Sequence, residues 1–382
     1  MNIEENLIDA KAYFFQIQNT HHVVCYGAGS KGKQTIEILR NQYNIFPEFF
    51  VDSKADKWEE DRMYAGIPVI AYDELIKKYD KYCILITCVY KNAKDIYDML
   101  MEMGEKNPIY FVCNPYKAEN KFLTIEEIQR QKEKLSITYH ALRDGESKEL
   151  LIHFLNWKLT GDMSQIANYT QGNWMEFFGS DLIPFDDNYT FIDVGAYTGD
   201  TIIRFLAFCN GKYNRIVAFE PDQKNYSELQ RFIFNGRMDR IEAKNIGLWM
   251  KKEEKPFFSA GGIYESSNFF RSVENTIRTD RLIESEKTLE QTIIADTLDN
   301  QIEIDSQKMI IKVDALAAEV PILYGAEKII KRCKPIIIME YGTYSEYMGD
   351  SIPYLLSLNP EYQFYLRQRY VFDNSRTVLY AV

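Results

Sequence analysis

Apolar runs alternate with helix-spaced runs along the first third of the chain. The run HVVCY is followed by a glycine turn and by a segment in which Ile36 and Leu39 have helical spacing. Further apolar runs follow at PEFFVDS, GIPVI, YCILITCV and PIYFVCN. Strands that alternate with helices are typical of a parallel sheet, and this sheet is expected to close near residue 115. A helix is predicted over residues 1–20.

The same alternation begins again at residue 189. Strands are predicted at YTFIDV, RIVAFEP, RIEAKNIGLW, MIIKVDAL and PIIIMEY. Near the end of the chain, YQFYLRQRY and TVLYAV are joined by a DNSR turn, which indicates an antiparallel hairpin. The segment from about 120 to 160 has apolar residues at helical spacing and many charges, so it predicts a helical connector.

The fold class predicted from these patterns is α/β, with two doubly wound Rossmann-like domains. The first domain covers residues 1–118 and the helical connector covers 119–164. The second domain covers 165–382 and ends in the antiparallel hairpin.

Composition and charge exclude several classes of function. The chain has 382 residues, of which 46% are hydrophobic and 26% charged, as in a globular protein that folds throughout. The net charge of −11 argues against a nucleic acid partner. No apolar run approaches the roughly 18–20 residues that cross a bilayer, and the N-terminus is acidic where a signal peptide is basic. We therefore expect no membrane partner and a cytoplasmic location.

Cysteines and histidines do not indicate a metal site. The six cysteines lie far apart, mostly in apolar strand-like runs, and are expected to be reduced core thiols. The four histidines lack ligand-like companions. We expect no bound metal.

The sequence FIDVGAYTGDT, residues 191–201, combines a strand with a glycine turn. The strand ends at Asp193, and Gly195 and Gly199 open the chain before a helix, which allows the backbone to approach a ligand closely. The next strand ends at Glu220, 27 residues after Asp193, where a carboxylate can accept hydrogen bonds from both hydroxyls of a ribose. A glycine turn after one strand, with an acid that ends the next, indicates a nucleoside-binding site.

Residues 189–382 resemble the FkbM-type family of S-adenosylmethionine (SAM) dependent methyltransferases. The resemblance rests on FIDVGAYTGDT, on AFEPD, on IKVDALAAEV followed by KPIIIMEY, and on the ending YQFYLRQRYVFDNSRTVLYAV. It implies a class I methyltransferase sheet in the second domain, SAM as cofactor, and methylation of a hydroxyl on a sugar, a glycan or a related natural product. The partner would be a small-molecule or glycan acceptor, and the oligomeric state stays open, with a homodimer as one alternative.

The resemblance also implies roles for individual residues. The glycine turn would line the methionine part of SAM, Glu220 would hold the ribose, and Asp222 would lie beside the adenosine. The end of the next strand would complete the adenine pocket. The implied cofactor-binding residues are Asp193, Gly195, Ala196, Tyr197, Gly199, Asp200, Glu220, Pro221, Asp222, Asn245, Ile246 and Gly247. The alternatives are simple tight turns for the glycines and a surface salt bridge for Glu220.

The segment IKVDALAAEV departs from the Asp-Ile-Glu-Gly-Ala-Glu that the family typically has. Asp314 and Glu319 match, whereas Leu316 and Ala317 replace the acidic residue and the glycine. This departure is compatible with an altered acceptor and with a protein that has lost catalysis.

Three residues are candidates for catalysis. Asp314 ends the fourth strand and faces the reaction crevice, where it could orient the acceptor or take its proton. Lys312 and Glu340 are expected to assist it. The family's Tyr-His after the fifth strand reads Tyr341-Gly342 here, so a histidine base is missing.

The first domain carries a second glycine-rich turn. In CYGAGSKG, Gly27, Gly29 and Gly32 have GxGxxG spacing around Ser30, and Asp52 closes the next strand 20 residues after Gly32. This pattern, placed between a strand and a helix, predicts a nucleotide site with phosphate at the helix N-terminus and ribose at the acid. The domain resembles small Rossmann units that precede sugar-modifying enzymes, and NAD(P) or a nucleotide sugar is the candidate ligand.

Loops and aromatic residues are expected to build the acceptor pocket. The loops are 165–188, 257–290 and 341–352, and the first of them is either a lid or a packing element. The aromatic candidates, chosen on position alone, are Trp174, Phe177, Tyr197 and Tyr264.

Three hypotheses of function follow from these features. The first is an O-methyltransferase for a sugar or glycan-type hydroxyl. The second is a NAD-linked or nucleotide-sugar oxidoreductase centred on the first domain, although residues 53–115 contain no histidine. The third is a non-catalytic binding protein, which the replacements at 316 and 317 suggest.

Overall fold

The chain divides into two compact units. The computed structural model describes residues 3–20, 22–53, 55, 62–88, 90–113, 119, 121–172, 175–179, 181–259, 289–303, 308–371 and 374–382. The first unit consists of Met1–Arg130, Leu150–Thr170 and Phe372–Ser375, and the second of Gln131–Glu149, Gln171–Val371 and Arg376–Val382. Within the described ranges, every helix is too short or too polar to span a membrane.

The first unit is built on a six-stranded sheet. Its strands are β1 Val23–Tyr26, β2 Phe49–Val51, β3 Met63–Tyr64, β4 Ile67–Ile70, β5 Cys83–Ile86 and β6 Ile109–Phe111. Their order is β3-β4-β2-β1-β5-β6, and all neighbours are parallel except the short β3, which is antiparallel to β4. The helices between them are α1 Ala10–Gln18, α2 Ser30–Tyr43, α3 Tyr72–Lys78 and α4 Tyr90–Glu102.

Burial explains why the strands of this unit read as continuous apolar runs. Every residue of β1 and β5 is buried, as expected for parallel strands covered on both faces. The predicted helix over residues 1–20 is wrong in extent. A short 3-10 turn covers Ile3–Asn6, and α1 begins only at Ala10, where the Asp9 side chain caps the helix by accepting from the Ala12 amide at 3.1 Å.

The segment predicted as a connector is helical. It contains α5 Ile125–Arg130, α6 Lys132–Ala141, α7 Gly145–Thr160 and α8 Ser164–Ala167. The helices are divided between the two units, because residues 131–149 group with the second unit and residues 150–170 with the first.

The second unit is built on an eight-stranded sheet. The strands that follow α8 are β7 Thr170–Gly172, β8 Thr190–Val194, β9 Arg215–Phe219, β10 Ile241–Lys244, β11 Gly247–Leu248, β12 Glu253–Ser259, β13 Leu289–Asp296, β14 Met309–Val313, β15 Ile336–Glu340, β16 Phe364–Val371 and β17 Asn374–Ala381. The main sheet has the order β10-β9-β8-β14-β15-β17-β16-β7. Strands β8, β9, β10, β14 and β15 are parallel, and β17 is antiparallel to β15. This is the doubly wound sheet with a terminal hairpin that the sequence predicts.

Three strands form a smaller sheet of order β11-β13-β12. The prediction of one strand over RIEAKNIGLW is therefore wrong, because β10 lies in the main sheet and β11 in the small one. The prediction of a loop over 257–290 is wrong at both ends, since residues 257–259 belong to β12 and residues 289–290 to β13. Residues 260–288 lie outside the described residues.

Helices cover the sheet of the second unit around an aromatic core. They are α9 Asp200–Phe208, α10 Gln223–Asn235, α11 Leu298–Gln301, α12 Glu319–Tyr324, α13 Glu327–Cys333 and α14 Ser351–Leu358. Phe191, Phe205 and Tyr380 are fully buried in this core. Phe177 and Phe178, in a 3-10 turn over Glu176–Phe178, are buried in the same cluster, so this part of 165–188 has a packing role.

Candidate functional site

The turn after β8 is held open by its backbone conformation. Gly195, Tyr197 and Gly199 have φ values of 75°, 48° and 98°, in the left-handed region that favours glycine. A Cβ atom at Gly195 would lie 1.9 Å from the Asp314 carbonyl oxygen, so no other residue fits this position without moving the backbone. The amides of Gly195 and Ala196 both donate to the Phe219 carbonyl at 3.0 Å, which fixes the turn against the end of β9.

Glu220 lies directly after β9 and faces this turn. Its carboxylate accepts a hydrogen bond from the Tyr197 amide at 2.9 Å and another from the Asp222 amide at 2.9 Å. The side chain is only 5% exposed. Burial raises the pKa of Glu220 to about 8, although the two amides act in the opposite direction. Glu220 is therefore a buried acid between the ends of β8 and β9, and not a surface salt bridge.

Other predicted residues on this edge form hydrogen bonds with the backbone around Glu220. Asp222 caps α10, because its carboxylate accepts from the amides of Lys224 and Asn225 at 2.9 and 3.1 Å. The Asn245 side-chain amide donates to the carbonyls of Glu220 and Pro221 at 2.9 and 3.1 Å. Both side chains hold the position of Glu220. Asp200 opens α9 and forms an ion pair with Arg204, and Ile246 and Gly247 follow Asn245 at the entry to β11.

A buried ion pair lies beneath the turn. Asp193 and Lys312 are register partners in the adjacent strands β8 and β14, and the Lys312 Nζ lies 3.1 Å from the Asp193 Oδ1. Nζ also donates to the Gly195 carbonyl at 2.8 Å. Burial lowers the pKa of Lys312, but nearby carboxylates, led by Asp193, outweigh it and raise the value overall. Burial raises the pKa of Asp193 to about 6, against the opposing charge of Lys312.

Three carboxyl groups meet beside this pair, two at the ends of β14 and β15 and one at the start of α12. Asp314, Glu319 and Glu340 each place an oxygen within 4.8 Å of the others. Asp314 forms an ion pair with Arg376 on β17. An all-oxygen set of this kind suits a hard cation such as Mg²⁺ or Ca²⁺. In this structure the Asp314 charge is balanced by an arginine.

Glu319 is the most deeply enclosed of the three acids. It is 2% exposed, accepts from the Ala315 amide at 3.1 Å, and is hydrogen-bonded by the Thr343 hydroxyl. Burial, followed by the charge of Glu340, raises the pKa of Glu319 to about 8. A small pocket lined by Glu319, Glu340, Tyr344 and Tyr347 adjoins it.

The two replaced positions of the DALAAE segment have unusual backbone angles. Leu316 and Ala317 have φ values of 33° and 73°. The family's glycine thus corresponds to a position where the chain still has a left-handed conformation, and Ala317 occupies it at a cost of about 1–2 kcal/mol.

The aromatic candidates are only partly placed near the site. Phe177 is buried in the core, where its ring lies 5.6 Å from the Lys312 Nζ, and Tyr197 belongs to the turn itself. Trp174 and Tyr264 lie outside the described residues. Tyr341 is 2% exposed, and the following Gly342 has a φ of 65°.

The first unit has a comparable turn after β1. Gly27 has a φ of 110°, and its amide donates to the Val51 carbonyl at 3.0 Å. A Cβ at Gly32 would lie 2.2 Å from the Gly27 carbonyl oxygen, so this glycine allows α2 to begin close to the strand. Gly29 is the N-cap of α2 and makes no side-chain capping bond, and Ser30 is the first residue of the helix.

Asp52 lies at the same edge of the first sheet. It follows β2, and its charge, after burial, raises the pKa of Tyr26 at the end of β1. The strand order reverses between β1 and β5, which is where ligands of open α/β sheets bind. The five residues predicted for a second nucleotide site therefore share one edge of the sheet, and the identity of a ligand there stays a prediction.

Three residues of the main site were not among the sequence candidates. Asn225 contacts Glu220, Arg376 pairs with Asp314, and Glu319 joins the acidic group. Glu319 matched the family motif, and that match was the signal for it. Arg376 and Asn225 carried no sequence signal, because each reaches the site only through the strand pairing and the helix position of the folded unit.

Comparisons with known proteins relate this site to one family. A family model of the methyltransferase FkbM domain matches residues 193–368. Methyltransferase FkbM from Methylobacillus flagellatus KT is 20% identical, with 98% of this chain and 94% of that chain covered at a TM-score of 0.71, which shows a shared fold. The comparison with curated proteins gives no match.

Two other solved structures are similar over about half of the chain. An rRNA methylase from Streptococcus thermophilus is 12% identical and covers 52% of this chain and 87% of its own at a TM-score of 0.30. Precorrin-6y C5,15-methyltransferase from Geobacter metallireducens GS-15 is 10% identical and covers 52% and 81% at a TM-score of 0.29. These scores are too low to compare individual residues.

Proposed function

Because residues 193–368 match the family model of the methyltransferase FkbM domain, we propose that this chain transfers a methyl group from SAM to a hydroxyl of a sugar, a glycan or a related natural product. The observation that carries the proposal is the buried carboxylate of Glu220 beside the glycine turn of β8. A carboxylate between two strand ends of a doubly wound sheet is suited to the hydroxyls of a ribose.

The residues present fit an adenosyl ligand. Gly195 presents bare backbone at the turn, and the left-handed Tyr197 directs its amide to Glu220. Asn245 and Asp222 keep the Glu220 backbone in place from either side. We propose that the glycine turn lies along the methionine part of SAM and that Glu220 holds its ribose.

SAM supplies an electrophilic methyl carbon on a sulfonium, so the chain's task is to align the acceptor and exclude water. Alignment of this kind contributes roughly 7–11 kcal/mol in well-oriented systems. We propose that Asp314 and Glu340 orient the acceptor hydroxyl and receive its proton. Lys312 is 1% exposed and holds the Gly195 carbonyl, so we assign it to positioning the turn and not to contact with the acceptor.

The donor half of the proposal is tested by calorimetric titration of the full chain with SAM and S-adenosylhomocysteine (SAH). We expect both to bind, and Glu220→Gln to weaken both. Glu242→Gln is the matched control. It makes the same chemical change on the next strand, where the Glu242 side chain is 60% exposed. Absence of SAM and SAH binding by the unchanged chain would overturn the assignment.

The acceptor half needs a product. The chain is incubated with methyl-labelled SAM and pools of sugars, nucleotide sugars and glycans, and labelled products are identified by mass. A methyl ether on a hydroxyl survives mild base, whereas a methyl ester on a carboxyl does not. Label that mild base releases would contradict the hydroxyl assignment while it leaves the methyltransferase assignment intact.

A further inference from the structure

Asn225 is a polar side chain enclosed beside Glu220. It lies in the first turn of α10, where its backbone amide donates to the capping carboxylate of Asp222 at 3.1 Å. The side chain is 2% exposed. It lies close enough to Glu220 to favour the ionised carboxylate, which acts to lower the pKa of Glu220.

The nitrogen and the oxygen of the Asn225 side-chain amide have different surroundings. Within the part of the chain that the structure describes, the Asn225 Oδ1 is buried and accepts no hydrogen bond. The reverse orientation of the amide would set Oδ1 against the Glu220 carboxylate, which is repulsive, so the nitrogen faces Glu220. A buried acceptor oxygen without a donor is uncommon in folded proteins and calls for an explanation.

We propose that Asn225 is a specificity residue of the nucleoside site, and that its Oδ1 accepts a hydrogen bond from a ribose hydroxyl of the bound adenosyl group. The inference rests on the proposed function. The Glu220 carboxylate then accepts a hydrogen bond from one ribose hydroxyl, and the Asn225 Oδ1 accepts one from the other. The Asn225 side-chain nitrogen faces Glu220. Each hydroxyl donates one hydrogen, so the two hydroxyls of the ribose are matched by two acceptors.

The test compares ligands that lack one hydroxyl each. The dissociation constants of SAH and of its 2′-deoxy and 3′-deoxy analogues are measured by calorimetry for the unchanged full chain, for Asn225→Leu and for Tyr226→Phe. Tyr226→Phe is the matched control, because it removes one polar atom from the next position of the same helix, where the Tyr226 hydroxyl contacts the Ala243 carbonyl at 3.4 Å. Melting curves establish that each variant is folded.

We expect the unchanged chain to bind SAH at least about tenfold more tightly than the analogue that lacks the relevant hydroxyl, or about 1.4 kcal/mol. Asn225→Leu should lose most of this discrimination and bind that analogue nearly as well as the unchanged chain does. Tyr226→Phe should keep the discrimination.

A purely structural role gives a different result. If Asn225→Leu weakens SAH and both analogues by the same factor, or changes none of them, the inference is wrong while SAH binding by the unchanged chain still supports the proposed function. If the unchanged chain binds none of the three, the proposed function itself falls. Should the leucine variant not fold, a crystal structure of the unchanged chain with SAH decides. An Oδ1 to ribose oxygen distance of about 2.7–3.2 Å supports the inference, and one beyond about 3.5 Å overturns it.

Discussion

Glu220 should make the binding of SAH depend on pH, with tighter binding as pH rises. Burial raises the pKa of this carboxyl to about 8, and only the ionised form accepts hydrogen bonds through both of its oxygens. The fraction of competent protein falls as pH falls below the pKa, and apparent affinity falls with it. Relative to binding at high pH, the dissociation constant should be roughly tenfold larger at pH 7 and roughly a hundredfold larger at pH 6.

The same group links pH to the stability of the unliganded chain. Its pKa is about 8 in the folded state and 4.5 as the ordinary value, so the folded state binds the proton more tightly than the unfolded state. The stabilisation from that proton is fully present below the unfolded pKa of 4.5 and is lost as pH rises through the folded pKa of about 8. The full shift corresponds to at most about 5 kcal/mol, at about 1.4 kcal/mol per pKa unit.

Calorimetric titration with SAH between pH 6 and pH 9 measures the binding effect, and urea denaturation over the same range measures stability. Glu220→Gln should bind weakly at every pH, lose the slope, and gain stability relative to the unchanged chain as pH rises. Glu242→Gln should behave like the unchanged chain.

A flat or falling affinity of the unchanged chain from pH 6 to pH 9 would refute the reasoning. So would a slope that persists in Glu220→Gln. That second outcome would assign the titration to Glu319, another acid of this unit whose pKa is raised to about 8.

Three further predictions concern the backbone and the buried pair. Gly195→Ala should abolish SAH binding and destabilise the chain by more than the about 1–3 kcal/mol of a strained backbone angle, because a carbonyl lies 1.9 Å from the new Cβ; a variant that denatures at the same urea concentration as the unchanged chain would contradict this. Lys312→Met should cost about 3–5 kcal/mol in urea denaturation by leaving Asp193 buried without its counter-charge, and adding Asp193→Asn should recover part of the loss, whereas equal stability of single and double variants would argue against a charge effect. Ala317→Gly should raise stability by about 1 kcal/mol, because a φ of 73° suits glycine, and a lower melting temperature would count against it.

The sequence by itself determined the strands whose burial is complete. The runs at β8 and β14 are apolar except for Thr190, Asp193 and Lys312, as is typical of parallel strands covered on both faces. The glycine positions were also readable, because left-handed φ values leave few alternatives to glycine. Glu220 was identifiable because it directly follows β9, the next strand after that turn.

Tertiary structure decided what depends on partners distant in sequence. The run RIEAKNIGLW has no internal mark of the point where it leaves one sheet for another, since a change of partner leaves the alternation of residues unchanged. The Asp193–Lys312 pair exists only because β8 and β14 meet in one register. Asn225 is a polar residue near a helix start in the sequence, and only the folded unit encloses it against Glu220. Local pattern fixes an element, whereas pairing and register, which join residues far apart in the chain, fix the site.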